Sequence, residues 1–234
     1  MLARNKKEAI LQSPLFMGVC RCLVEEVLSS AKKIKKAKDE FVFMKGDKAD
    51  KVIFVLSGRI KKYYLNGEGE ENIIKVYREE ELLGLSAIFK SPAIRGSNCQ
   101  AIETSHLLVI PDVDVRKGMG ASAKMRDNVL EILAGRIEDA NVNHFLVQKS
   151  SAKCRVASYI MSLHFSSSTD CLTCKGNCID LSPIALSAQE AGLTRETFTR
   201  ILRELKNSGY IDIHRGKLKV NDDEALKKIA TIMD

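Results

Sequence analysis

Nowhere in this chain do apolar residues run long enough to cross a bilayer. The longest runs, "VIFVL" and "HLLVI", fall far short of the ~20 residues a spanning helix needs. The stretch "MLARNKKEAILQSPLF" at the start also lacks the apolar h-region and small-residue cleavage site of a secretory signal. A cytoplasmic protein is expected, with no membrane partner. Catalytic constellations are missing too: no Ser/His/Asp set, phosphate-binding glycine loop or paired carboxylates stand out. No internal repeat or low-complexity tract occurs. Cysteine is present, but seven is an odd number, which fits a reducing compartment better than a disulfide framework.

What is there begins with size. At 234 residues and 45% hydrophobic, the chain can build one large domain or two modest ones with real cores. Lys and Arg total 37 against 30 acids, for a net charge of +7; such an excess permits a nucleic-acid partner without requiring one. The dense run "AKKIKKAK" (31–38) reads as the solvated start of a strand rather than a binding patch. The basic residues Arg195, Arg200, Arg203, Lys206, Arg215, Lys217 and Lys219 say more, because they fall on particular faces.

Apolar spacing divides the chain into three parts. Residues 8–30 carry helical spacing, with Ser13-Pro14 ending a first helix. From 34 to 111 the period changes to two: "FVFM", "KVIFVL", "RIKKYYL", "NIIKVY" and "SHLLVI" are separated by glycine-bearing turns. At least five short strands predict a β-sandwich or small barrel. Helical character returns over 121–148, where Met125, Val129, Ile132, Leu133, Ile137, Ala140, His144 and Phe145 form one apolar stripe. That stripe either packs on its own β-domain or pairs with a second copy, and dimerisation is the favoured expectation. "KSS" (149–151) is a plausible hinge, "AKCRVASYIMSLHF" another amphipathic helix, and two helical segments follow at 183–191 and 194–208. The expected class is α+β, with a β-rich domain over 1–120, a dimerisation helix and hinge over 121–150, and a further, largely helical domain over 151–234.

The strongest signal lies in "SPIALSAQEAGLTRETFTRILRELKNSGYIDIHRGKLKV". Gly192 can take the positive φ of a tight interhelical turn, and Thr194 can cap the next helix. There Phe198, Ile201, Leu202 and Leu205 share one face, while Glu196, Thr199, Arg200 and Arg203 share the other, with Arg195 at the N-terminal edge. Arg can donate a bidentate pair to guanine, and Glu can accept from cytosine N4, so this helix suits the major groove of double-stranded DNA. The following hairpin, with His214, Arg215, Lys217 and Lys219, would be a wing whose cations contact phosphates. The plainer reading is an ordinary helical hairpin with a solvated charged face.

The order β-rich domain, long helix, winged helix resembles that of the Crp–Fnr family of bacterial transcription regulators. "GLTRETFTRIL" is similar to its recognition helix, and "VIFVLSGRIKKYY" and "LLGLSAIF" to its β-roll. The resemblance implies a cyclic-nucleotide-binding-like jelly roll, a homodimer on a two-fold DNA site, an effector near the β-roll and long helix, and RNA polymerase as a partner. Arg195, Glu196 and Arg200 match the base-reading positions of the cyclic-AMP receptor branch, which implies a half-site like TGTGA.

The effector residues of that branch do not carry over. Its ribose-holding Glu is replaced, since Gly84 is followed by Leu85; its Arg-Ser pair becomes Arg95-Gly96; its adenine-reading Thr-Ser pair becomes Ala140-Asn141. An apolar Leu85 leaves a ligand hydroxyl unpaired, at ~1–3 kcal/mol, and cyclic AMP is not expected. The fumarate–nitrate branch holds an iron–sulfur cluster on several N-terminal cysteines and one near the end of the β-roll. Here only Cys20-x-Cys22 stands near the start and Leu108 at the second place, so that cluster is not reproduced. Haem is a lesser option, with His106, His144, Cys20 and Cys99 as axial candidates.

One motif lies outside this scheme: "TDCLTCKGNC" puts Cys171, Cys174 and Cys178 in one loop. Three thiolates at C-x2-C-x3-C spacing, with Cys154 or His164 as a fourth ligand, would suit zinc; with Cys154 they would also suit a [4Fe–4S] cluster. A reversible disulfide and a plain surface loop stay open as alternatives. A thiol-redox enzyme built on Cys171 and Cys174 is the competing function. It is disfavoured because Lys175-Gly176-Asn177 reads as a turn, whereas a redox C-x-x-C wants a helix N-terminus. A cyclic-nucleotide-binding module without a DNA role is a third reading, opposed by the winged helix.

Overall fold

The computed structural model describes residues 4–149, 151–166, 170–171, 176–181, 183–214 and 216–231. The chain forms two compact units, Met1–Glu138 and Asp139–Asp234. Among the described residues, no helix is long and apolar enough to cross a membrane.

The first unit is built on two four-stranded antiparallel sheets. One has the order β1 (Lys32–Lys36), β8 (Ser105–Pro111), β3 (Lys51–Ser57), β6 (Leu82–Leu83); the other has β2 (Phe41–Phe43), β7 (Asn98–Ala101), β4 (Ile60–Leu65), β5 (Glu71–Tyr77). β3 is buried at every position from Val52 to Leu56, which needs apolar material on both faces of its sheet. Alternation supplies it. Val52, Phe54 and Leu56, with Leu108 and Ile110 of β8, face a helical layer. Ile53, Val55 and Leu107 face the opposite way, into a core shared with Ile60, Tyr77, Cys99 and Ala101 of the second sheet.

The helical layer consists of α1 (Arg4–Leu11), α2 (Arg21–Val27), α3 (Asp112–Ala121) and the first part of α4 (Ala123–Lys149). Its contribution to the core includes Ile10, Leu15, Val24, Val27, Val115, Met125 and Val129. α3 was not expected from the sequence, because Gly118 and Gly120 each disfavour a helix by about 1 kcal/mol. Tertiary packing reverses that preference. A Cβ on Gly118 would lie 2.6 Å from Met125 Sδ and 2.7 Å from Val27 Cγ2, so the missing side chain lets α2, α3 and α4 close together. β1 is the solvated strand expected at the basic run 31–38. Its only apolar residue is Ile34, and its pairing with β8 is carried by the backbone; lysines along such an edge discourage further pairing.

The stripe on α4 is two faces rather than one. Met125 and Val129 are fully buried, with Ile132 and Leu133 packed behind them, whereas Leu130 and Ile137 are 64% and 62% exposed. Packing on the β-domain and pairing with a second copy were posed as alternatives. The core takes up Met125 and Val129 and leaves Leu130 and Ile137 open to solvent.

In the second unit, α5 (Ala152–Ser166) packs against α8 (Asp223–Thr231) and against β10 (Gly176–Asp180). The sheet has the order β11 (Ile211–His214), β12 (Lys217–Val220), β10, β9 (Asp170–Cys171). Two short helices, α6 (Ile184–Glu190) and α7 (Arg195–Asn207), complete it. The final helix was also unexpected; Asp222 marks its start by accepting the Ala225 N–H at 2.9 Å, a side-chain cap.

Candidate nucleic-acid interface

α7 is fixed in place at both ends and along one side. At its start Gly192 sits at φ +66, and Thr194 Oγ1 accepts the Thr197 N–H at 3.3 Å. Along its inner face Phe198, Ile201, Leu202 and Leu205 are at most 3% exposed. Phe198 meets Tyr159 of α5 edge to face, with ring centroids 5.9 Å apart, and the Tyr159 hydroxyl donates to Glu190 of α6 at 2.9 Å. Arg155, also on α5, donates to the Gly192 carbonyl at 3.0 Å. One helix thus clamps both halves of the helix-turn-helix and the turn between them.

What this leaves outside is Arg195, Glu196, Arg200 and Arg203, all exposed on the outer face of α7. Thr199 is half-buried, and its hydroxyl donates to the Arg195 carbonyl at 2.7 Å, so it shapes the helix end as much as the surface. Arg200 donates to Glu204 at 2.6 Å, an exposed pair one turn apart that contributes little to stability. β11 and β12 carry exposed His214, Lys217 and Lys219 around the turn; Arg215, named for the same wing, lies outside the described residues. Lys206 of α7 donates to the Ile213 carbonyl at 3.2 Å and pairs with Asp212 at 3.3 Å, tying helix to wing. That lysine holds the Asp212 carboxyl below its ordinary pKa.

Comparison with known proteins agrees with this arrangement at both ends of the chain. A family model described as a cyclic nucleotide-binding domain matches residues 33–121, and one described as a Crp-like helix-turn-helix domain matches residues 154–229. The fumarate and nitrate reduction regulatory protein of Yersinia pestis is 26% identical over 214 residues, covering 88% of this chain and 81% of that protein. The chain belongs to the Crp–Fnr family.

This Crp–Fnr protein is a DNA-binding transcription regulator. The anaerobic regulatory protein of Pasteurella multocida is also similar, 25% identical over 88% of this chain and 74% of its own length. Among solved structures, FixK2 from Bradyrhizobium japonicum superposes with a TM-score of 0.76 at 18% identity, covering 87% of this chain and 99% of that one. The c-di-GMP responsive global regulator CLP of Xanthomonas campestris gives 0.69 at 16% identity, covering 86% and 99%. Likeness at those identities carries the fold alone.

At the positions read from the sequence as an effector pocket, Arg95 is engaged by main-chain carbonyls. Gly84 sits at φ +83 and opens a 3-10 turn over Leu85–Phe89. Arg95 is 3% exposed and donates to the carbonyls of Gly84 at 3.1 Å and Lys51 at 2.5 Å. Its guanidinium lies 4.3 Å from the Phe43 ring centroid. A Cβ at Gly84 would fall 2.4 Å from Arg95 Nη1, so glycine is required for this approach. Burial lowers the Arg95 pKa. Leu85 is fully buried among core residues. Gly96 is exposed; Ala140 and Asn141 are exposed positions of α4 within the second unit.

The thiols of this family member differ sharply from one another. Cys99 is fully buried, and burial pushes its thiol up to about 12, which makes it an inert core residue. Cys154 is 3% exposed and its thiol donates to the Ala230 carbonyl at 3.3 Å; a ligand role would require it to leave that bond and the core. His164 pairs with Asp223 at 3.3 Å, and His106 shares a hydrogen bond with Ser57 Oγ at 3.1 Å. The His144 side chain lies outside the described residues. So do Cys174 and the side chains of Cys171 and Cys178, whose backbones lie on β9 and β10, where Cys171 pairs with Gly176. Cys171 ends a strand.

Sequence reasoning missed the partners of Arg95, which are main-chain carbonyls without any sequence mark. It also missed Leu130, whose signal was available: Leu130, Leu133, Ile137 and Ala140 follow the 3-4-3 spacing of a heptad seam.

Proposed function

We propose that this regulator binds a two-fold DNA site with TGTGA-like half-sites as a homodimer, in response to a signal other than cyclic AMP. The observation that carries this reading is the outer face of α7. Arg195, Glu196 and Arg200 project from a helix that Thr194 caps and whose inner face and preceding turn are held by α5. Such fixing matters because a base-reading side chain must arrive in register without first ordering its backbone. Dimerisation is supported by the exposed Leu130 and Ile137, which no residue of the same unit covers at the spacing a coiled-coil seam needs. Against cyclic AMP stand the buried Leu85 in place of a carboxylate and the commitment of Arg95 to two carbonyls.

A salt-titrated mobility shift on a TGTGA…TCACA duplex tests the DNA reading. We expect salt-sensitive binding at least about 10³-fold tighter than to a scrambled duplex, the lower end of usual specificity ratios. Equal affinity for both duplexes would reject sequence-specific reading. The dimer has a separate test. Ile137→Glu places a charge on each side of the seam and is expected to give monomers by sedimentation with unchanged circular dichroism. A variant that stays dimeric would move the seam elsewhere.

A further inference from the structure

Cys20 and Cys22 flank Arg21 at the start of α2, and both are free and exposed. The Cys20 sulfur accepts the Leu23 N–H at 3.4 Å, capping α2, and Cys22 follows as the second residue of that helix. Two solvent-facing thiols therefore stand two residues apart at the start of one helix. Among the described cysteines no other has this combination, since Cys99 and Cys154 are buried. The two thiols are also unequal. The neighbouring Cys22 thiol, and then the Leu23 N–H, hold Cys20 below its ordinary pKa, while Cys20 raises Cys22. An attacking thiol beside a resolving one has this asymmetry.

We infer from this geometry that Cys20 and Cys22 form a reversible disulfide across Arg21 when the protein meets a low-molecular-weight disulfide, and that the new bond uncaps α2. The Cys20 thiolate attacks one sulfur of RS–SR, whose S–S bond breaks and releases RS⁻. The Cys22 sulfur, giving up its proton, then attacks Cys20 in the mixed disulfide and expels the second RS⁻. Two protein thiols are oxidised to one disulfide, one RS–SR is reduced to two RSH, and the two thiol protons end on the leaving thiolates. The span is within reach: Cα atoms two residues apart lie within roughly 7 Å, and disulfides bridge about 4.4–6.8 Å.

The sulfur that closes the ring must rotate away from the Leu23 N–H, and the first turn of α2 loses its acceptor. α2 packs through Val24 and Val27 beside Gly118 of α3. The segment before it is held to α4 by Asn128 Nδ2, which donates to the carbonyls of Leu15 at 3.1 Å and Met17 at 2.9 Å. Loosening α2 therefore acts beside the long helix. Any consequence for DNA binding rests on the regulator reading above; the disulfide itself does not.

Trypsin makes the test direct, because Arg21 is a cleavage site between the two cysteines. The full chain is treated with oxidised glutathione, its remaining thiols are alkylated, and the digest is read by mass spectrometry. We expect peptides 8–21 and 22–32 to travel as one species, two hydrogens lighter than their sum and separated by dithiothreitol. Cys20→Ser and Cys22→Ser should each abolish it, and serine at position 20 can still cap the helix. Separately alkylated peptides, glutathione retained on either cysteine, or a link from either one to another cysteine would overturn the proposal. Hydrogen exchange at Leu23 tests the cap: about fivefold faster exchange is expected after oxidation, the loss of one cap bond. Unchanged protection in the disulfide form would refute the uncapping.

Discussion

Arg200→Ala is expected to weaken binding to a TGTGA…TCACA duplex by 30-fold or more while leaving the folded protein as stable as before. The size follows from two statements. A bidentate arginine–guanine contact discriminates by about 1–3 kcal/mol, and a two-fold complex makes it twice, for about 2–6 kcal/mol in all. Stability should not move, because the side chain is exposed and its one structural contact is the pair with Glu204, with side-chain exposures of 63% and 43%. Pairs of that kind contribute about 0–1 kcal/mol. Lys217→Ala on the wing is the useful contrast. A phosphate contact carries no sequence information, so its loss should weaken specific and scrambled DNA alike and flatten the salt dependence by roughly one unit per half-site. If Arg200→Ala also weakens both duplexes equally, Arg200 is a backbone contact and the half-site must be read elsewhere on α7.

That contrast can be drawn because α7 was readable residue by residue. A 3.6 period separates Phe198, Ile201, Leu202 and Leu205 from Arg195, Glu196 and Arg200, and a glycine and a threonine punctuate its start. All three signals are local. The β-roll was legible for a similar reason wherever strands alternate or run continuously apolar, as in β3. α3 escaped because its stabilisation comes from elsewhere, the close approach at Gly118. On α4 the period was right but the face was merged, since Met125 and Val129 meet the core while Leu130 and Ile137 do not. Periodicity identifies a helix; it does not say how many partners the helix has.

Arg95 is the clearest case of a residue whose role the sequence left undecided, and its replacement carries the second large effect. Arg95→Ala should lower the stability of the first unit by about 2–4 kcal/mol. It leaves the Gly84 and Lys51 carbonyls without their donor, at about 1–3 kcal/mol each when buried. It also removes the stacking on Phe43, worth about 1 kcal/mol, and opens a cavity. Against these stands the release of a desolvated charge, which is itself costly to bury. Arg95→Met fills the space without donating, so it should recover the packing part and still fall short of the wild type. A structural guanidinium also predicts what cyclic AMP will do. A ligand bound at 100 times its Kd stabilises by about 2.7 kcal/mol, several degrees in Tm for a unit of this size. No such shift is expected, because both terminal nitrogens of the arginine that would meet a phosphate are already engaged by main-chain oxygens, leaving only its buried Nε without a partner. A cyclic-AMP-dependent rise in Tm that Arg95→Ala abolished would reverse the assignment, making Arg95 a ligand contact that only rests on those carbonyls when the site is empty.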